Sequence, residues 1–79
     1  TADTCLIHPR EIYLPAIAAG AIKIIVAHNH PSGNTNPSQQ DNEIAKRLSA
    51  AGELLGIPLL DFLVITPTKT MSFKEARII

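Results

Sequence analysis

Apolar and polar positions are arranged in three ways along the chain, and each predicts an element. From Pro9 to Ala19 the apolar residues Ile12, Ala16 and Ile17 form a stripe at helical spacing. Pro9 suits the first helical position, where an N–H is not needed, and Gly20 suits the stop. Pro15 lies inside this helix and is expected to kink it. Ile22 to Ala27 is β-branched and almost wholly apolar, which predicts a strand buried on both faces. Residues 29 to 37 hold two Pro, one Gly and three Asn and read as loop, with Gly33 supplying a positive φ.

The strongest pattern follows. Ile44, Leu48, Ala51 and Leu55 recur at helical spacing beside Glu43, Lys46 and Arg47, predicting a helix from Ser38 to Leu55 that Gly56 ends. Leu59 to Thr66 reads as a second strand stopped by Pro67, with Thr68-Lys69-Thr70 as a turn. Residues 71 to 79 are short and mixed, with Ser72 a cap for a final helical turn. Residues 1 to 7 alternate loosely, as in a short strand. The order is helix, strand, helix, strand: an α/β chain with helices packed on a small sheet.

Composition narrows the function. With 79 residues the chain is one domain or part of one, and 46% hydrophobic against 18% charged residues is globular. A chain this small buries only about 60% of its unfolded surface, so its core is slight. Seven basic and seven acidic residues cancel, and there is one Tyr and two Phe. DNA binding through this chain alone is therefore not expected. Cys5 is the only cysteine and reads as a small buried hydrophobe rather than a nucleophile. The absence of an internal disulfide fits a reducing compartment. No apolar run approaches the ~20 residues that span a bilayer, and no signal peptide is visible. A cytoplasmic location with no membrane partner is the expectation. Thr1 is no start methionine, which suggests a piece of a longer chain.

The chemistry concentrates in residues 27 to 41, AHNHPSGNTNPSQQD. His28 and His30 stand two apart at a strand end, so their side chains point the same way. Asp41 lies in the first turn of the following helix and can return a carboxylate to the same point. Two His and one Asp make the three protein ligands of a catalytic zinc, leaving the fourth position for a water whose pKa falls to about 7. A plainer reading competes. Ser38-Gln39-Gln40-Asp41 is a capping box with Asp for Glu, and an acid in the first turn answers the helix dipole. Ser38 and Asp41 need no metal on that account, whereas two histidines beside a glycine loop are harder to explain as packing. An HNH nuclease is disfavoured by the neutral charge, and that motif spreads over a longer module.

The pattern H-x-H-x7-S-x2-D formed by His28, His30, Ser38 and Asp41 matches the JAMM, or MPN-plus, metalloprotease family. HPRE at 8–11, AHNHPSG at 27–33, PSQQD at 37–41 and AAGELLGIPLLDFLVI at 50–65 resemble its bacterial RadC branch over nearly the whole chain. The resemblance implies helices packed on a small mixed sheet, JAMM/MPN-like with cytidine-deaminase-like layering. It implies Zn2+ held by His28, His30 and Asp41, with Ser38 in the catalytic role of helping to hold the oxyanion, a donor contribution of roughly 3 kcal/mol. It implies a peptide or isopeptide substrate. The family's general base is a glutamate on an early strand, and Glu11, the only glutamate before His28, does not match it. Those strands are expected to precede Thr1, leaving this chain as the C-terminal part of a RadC-like domain, weak or inactive as a catalyst. A non-catalytic assembly module, self-associating through an exposed sheet edge, is the alternative. A DNA-repair role rests on the branch's historical name, and the helix-hairpin-helix segment that could contact DNA is absent from these residues.

Several residues carry two readings. Asp61, in an apolar strand with Leu59, Leu63 and Ile65, either orients a metal-bound histidine or faces water, and water is preferred since charges are rarely buried unpaired. His8 reads as a helix-start residue rather than a ligand. Asn29 is expected to point away from the metal and bond the loop.

Overall fold

The computed structural model describes residues 7–30 and 33–79. The elements run α1 (Pro9–Ala18), β1 (Ile24–Asn29), α2 (Gln39–Leu55), β2 (Leu59–Ile65) and β3 (Thr70–Ser72). Most of the early strand expected over residues 1 to 7, and Cys5 with it, lies outside the described residues. Ile7 is not in a strand.

Helix α1 starts where Pro9 allows it to. His8 is its N-cap in extended conformation, and the Glu11 carboxylate accepts from the His8 N–H at 3.2 Å. The helix runs on through Pro15 and closes at Gly20 (φ 69°), where the Gly20 and Ala21 amides donate to the carbonyls of Ile17 and Ala16. That double reversal satisfies carbonyls the helix end leaves open.

The sheet has the order β1-β2-β3. β1 and β2 are parallel, joined through α2, and run in register from Ile24↔Leu59 to Asn29↔Ile65 with one slip after Ile24. β2 and β3 are antiparallel, so the small sheet is mixed, as anticipated. β3 was not anticipated from sequence: residues 70–72 form a strand where a turn and mixed tail were expected. The turn instead spans Thr66 to Lys69, closed by a 2.8 Å bond from the Thr66 amide to the Lys69 carbonyl. The Ser72 hydroxyl does cap, accepting from the Glu75 amide at 3.1 Å, over turns rather than a helix.

The core lies on one face of the sheet. Val26, Phe62, Val64 and Phe73 meet Tyr13 of α1 and Ala45 and Leu48 of α2, with Ile57 at the edge. The double-sided burial expected of residues 22 to 27 does not occur. Ile25 is 59% exposed, and Ile22 precedes the strand at 80% exposed. The physical reason is that both described helices serve the opposite face, so β1 alternates as a half-buried strand does. The helical stripe shifts too. The buried line of α2 is Asp41, Ala45, Leu48 and Gly52, while Leu55 is 47% exposed.

Small residues on that line permit a close approach. The Tyr13 hydroxyl reaches over Gly52 to the carbonyls of Ile57 (3.0 Å) and Leu48 (3.2 Å). A Cβ on Gly52 would stand 2.4 Å from that hydroxyl and 2.6 Å from the Ile57 carbonyl. Burial, with the nearby Glu53 charge adding to it, pushes the Tyr13 phenol above its ordinary pKa. No described helix is long and apolar enough to cross a membrane.

Candidate metal centre

Strand β1 delivers the first histidine and the parallel ladder positions the second. His28 is the penultimate residue of β1, opposite Val64, on the helix side of the sheet. The His30 amide extends the ladder by one bond, donating to the Ile65 carbonyl at 2.8 Å. Two residues of extended chain therefore put both rings on one side. Their centroids are 5.0 Å apart, nearly perpendicular, as the alternation argument anticipates. The His28 ring also meets Phe62 edge-on at 6.4 Å.

Helix α2 supplies the carboxylate. Ser38 is its N-cap, in extended conformation, with its hydroxyl accepting from the Asp41 amide at 3.0 Å. In return Asp41 Oδ2 accepts from the Ser38 amide at 2.9 Å. This is the capping box read from the sequence, and it fixes Asp41 at 3% exposure. The same carboxylate turns to the histidines. Asp41 Oδ1 lies 3.0 Å from His28 Nδ1, and Oδ2 lies 3.0 Å from His30 Nε2. Capping and clustering are thus one arrangement rather than competing explanations. Burial opposes ionisation of Asp41, but the hydrogen bonds from Ser38 and the neighbouring imidazoles outweigh it and hold its pKa below the ordinary value.

Sequence reasoning missed one contact. His30 Nδ1 faces the Asn34 carbonyl at 3.0 Å. The Asn34 side chain makes an Asx turn, its Oδ1 accepting from the Asn36 amide at 2.9 Å, and Gly33 supplies the positive φ (86°) that brings the chain round. The Gly-Asn-x-Asn run is the signal that could have revealed it. Both ring nitrogens of His30 then face oxygen acceptors. A neutral imidazole has only one N–H, so one nitrogen would oppose its lone pair to an oxygen's. A metal ion between His30 and the carboxylate would leave the Nδ1–H to the Asn34 carbonyl and turn the Nε2 lone pair to the ion.

The donor set fits a metal. One ligand atom from each of His28, His30 and Asp41 lies within 4.8 Å of the others. A tetrahedral zinc at ~2.0–2.1 Å from each ligand needs edges of about 3.3 Å. Each histidine stands 3.0 Å from a different oxygen of Asp41, so the ligand atoms are gathered at one point and would adjust to reach zinc spacing. The remaining expectations sort themselves plainly. His8 caps α1 as expected. Asn29 is exposed and lies on the other face of β1. Asp61 fulfils neither of its readings. It pairs with Ile25 in the register and so lies on the face opposite His28. It is half-buried rather than open to water, accepting from the Ser72 hydroxyl and from the amides of Lys74 (3.0 Å) and Phe62 (2.8 Å). Burial again opposes ionisation, and these hydrogen bonds with the Lys74 charge lower its pKa overall.

The comparisons agree with the geometry. A family model described as "RadC-like JAB domain" matches residues 1–78. A UPF0758 protein of Thermotoga maritima is 47% identical over 75 residues, covering 95% of this chain and 34% of its own length. A UPF0758 protein of Clostridioides difficile is 47% identical over 79 residues, all of this chain and 34% of its own. One of Trichlorobacter lovleyi is 45% identical over 74 residues. The chain spans about a third of the length of these curated relatives. A mixed three-stranded sheet under two helices, a His-x-His strand end closed by a capping aspartate, and a match running from residue 1 to 78 place this chain in the RadC-like JAB domain family.

Proposed function

We propose that the domain is a zinc-dependent hydrolase of the JAMM type, acting on peptide or isopeptide bonds. One observation carries this reading: a buried carboxylate faces two imidazoles, and one ligand atom from each of the three residues lies within 4.8 Å of the others. His28, His30 and Asp41 would hold the zinc. When bound, the ion supplies Lewis acidity and water activation at neutral pH. The chain's own residues do the rest. Ser38, accepting from the Asp41 amide, keeps its hydroxyl proton to donate to an oxygen gaining negative charge. The Asn34 carbonyl orients His30 through Nδ1, a type of contact whose loss costs metal sites roughly 10–100-fold in affinity or activity. The proton acceptor is the glutamate that the family resemblance calls for and that no glutamate of this chain matches. Glu11 is occupied at the start of α1. The 79-residue chain is therefore expected to bind zinc and to turn over slowly or not at all.

Elemental analysis of protein purified without chelator tests this. About one zinc per chain is expected, and the His28→Ala/His30→Ala double variant should hold almost none. Equal metal in the double variant, or none in either protein, sinks the proposal. A second reading concerns assembly. β1 is an edge of the described sheet, and its outer face exposes Ile25. An unprotected apolar edge favours pairing with another strand. Light scattering checks it: a monomer at all concentrations removes it.

A further inference from the structure

His28 and His30 reach one carboxylate from different places on the chain. Two residues of extended backbone set their Cα atoms about 6.6 Å apart along the direction of β1. Asp41 nonetheless meets both rings at 3.0 Å, and it meets different nitrogens: Oδ1 faces Nδ1 of His28, and Oδ2 faces Nε2 of His30. Nδ1 adjoins the ring carbon that carries Cβ, whereas Nε2 lies at the far end of the ring. One histidine uses its near nitrogen and the other its far one, and that difference in reach offsets the stagger of the two backbone positions.

We propose that the metal is held by Nδ1 of His28 and by Nε2 of His30, so that the two histidines are unequal ligands. The assignment rests on the hydrolase reading above and fixes which atoms serve it. In His30 the near nitrogen is taken. Nδ1 faces the Asn34 carbonyl at 3.0 Å, which can only accept, so Nδ1 carries the proton and the Nε2 lone pair is left for an ion. In His28 the order is reversed. Nδ1 is turned to the carboxylate, and Nε2 meets no acceptor among the described residues. The His28 side chain is 28% exposed, so water can take its Nε2–H. Packing orients this ring instead: it stands edge-on to Phe62 at 6.4 Å and nearly perpendicular to His30 at 5.0 Å. The two nitrogens of an imidazole direct their lone pairs away from each other in the ring plane, so an ion on one is out of reach of the other. His30 is thus locked from behind by the loop backbone, and His28 is backed by solvent.

The test is NMR of the zinc-loaded 79-residue protein, using long-range proton–nitrogen correlations of the imidazole rings, which tell a metal-bound nitrogen from a protonated one. Nδ1 of His28 and Nε2 of His30 should carry the metal, and the other nitrogen of each ring the proton. Zinc affinity, measured by competition with a chelating dye, gives a second readout. The amide oxygen of an asparagine stands close to where Nδ1 stood, and that of a glutamine close to where Nε2 stood. His28→Asn should therefore hold zinc about tenfold more tightly than His28→Gln, and His30→Gln about tenfold more tightly than His30→Asn. Where both variants of a pair lose the metal, the spectra decide. Metal on the same nitrogen of both rings, or an equal or opposite order of affinity in either pair, overturns the proposal. The two ideas fail differently. A wild type that takes up no zinc overturns the hydrolase reading and this assignment with it, whereas zinc bound through any other pair of nitrogens overturns the assignment alone.

Discussion

Asp41→Ala is the most informative perturbation, because one carboxylate starts α2 and closes the histidine cluster. The substitution removes the 2.9 Å bond from the Ser38 amide and the two 3.0 Å contacts to His28 and His30. It keeps the bond from its own amide to Ser38 Oγ. A lost capping bond and a lost first-turn charge together come to about 2 kcal/mol in the absence of metal. A domain of this size has roughly 4–12 kcal/mol in all, and each kcal/mol moves Tm by about 4–8 °C. A fall of about 10 °C is expected in chelator. If the triad binds zinc as proposed, the metal at a hundred times its Kd should stabilise the wild type by about 2.7 kcal/mol, a rise of about 15 °C. Asp41→Ala should show almost none of that rise. Ser38→Ala gives the contrast. It loses the acceptor for the Asp41 amide, costing about 1 kcal/mol, but keeps all three ligands, so it should melt about 5 °C lower and still respond fully to zinc. Thermal unfolding of the three proteins, in chelator and in zinc, reads all of this. If Asp41→Ala keeps the zinc-induced rise, Asp41 is a helix cap and no ligand. If it melts with the wild type in chelator, the capping argument is wrong.

Two further outcomes are expected. Gly52→Ala gains about 1 kcal/mol of helix propensity but places a Cβ against the Tyr13 hydroxyl and the Ile57 carbonyl, an overpacking cost of roughly 2–3 kcal/mol, so urea unfolding should show a net loss of about 1–2 kcal/mol. Tyr13→Phe should relieve only part of it, since the 2.6 Å clash with Ile57 remains, and a neutral Gly52→Ala would refute the packing described. Asp61 has its folded-state pKa lowered, so its contribution to stability is present above the unfolded value of about 3.9 and disappears as pH falls through the lower folded value. Asp61→Asn should therefore melt below the wild type at neutral pH, with the gap closing under acid conditions. A gap that is constant from neutral pH into the acid range contradicts the assignment.

How much of this was legible depends on how local the cause is. The Ser38–Asp41 box and the shared direction of His28 and His30 follow from helix and strand geometry within a few residues, and both are present. The errors come from causes that span the chain. Which face of β2 meets the histidines is set by the register with β1, and that register puts Asp61 on the far side. Tyr13 was overlooked because the stripe on α1 was drawn from aliphatic residues. Its hydroxyl finds its partners only after α2 and the Ile57 turn fold over it. β3 has three residues, too few to leave a periodic trace.

The capping box has a consequence for reading relatives of this domain. Ser38 and Asp41 hold α2 in place by bonds to each other's backbone, whether or not any chemistry follows. A relative without metal chemistry would still be selected to keep them, because losing them loosens the start of α2. His28 and His30 carry no such second duty to the backbone through their rings, apart from the one link to Asn34. Drift should erase the histidines first. In a divergent sequence the H-x-H pair is therefore the informative half of the motif, and the S-x-x-D half reports only that the helix begins there.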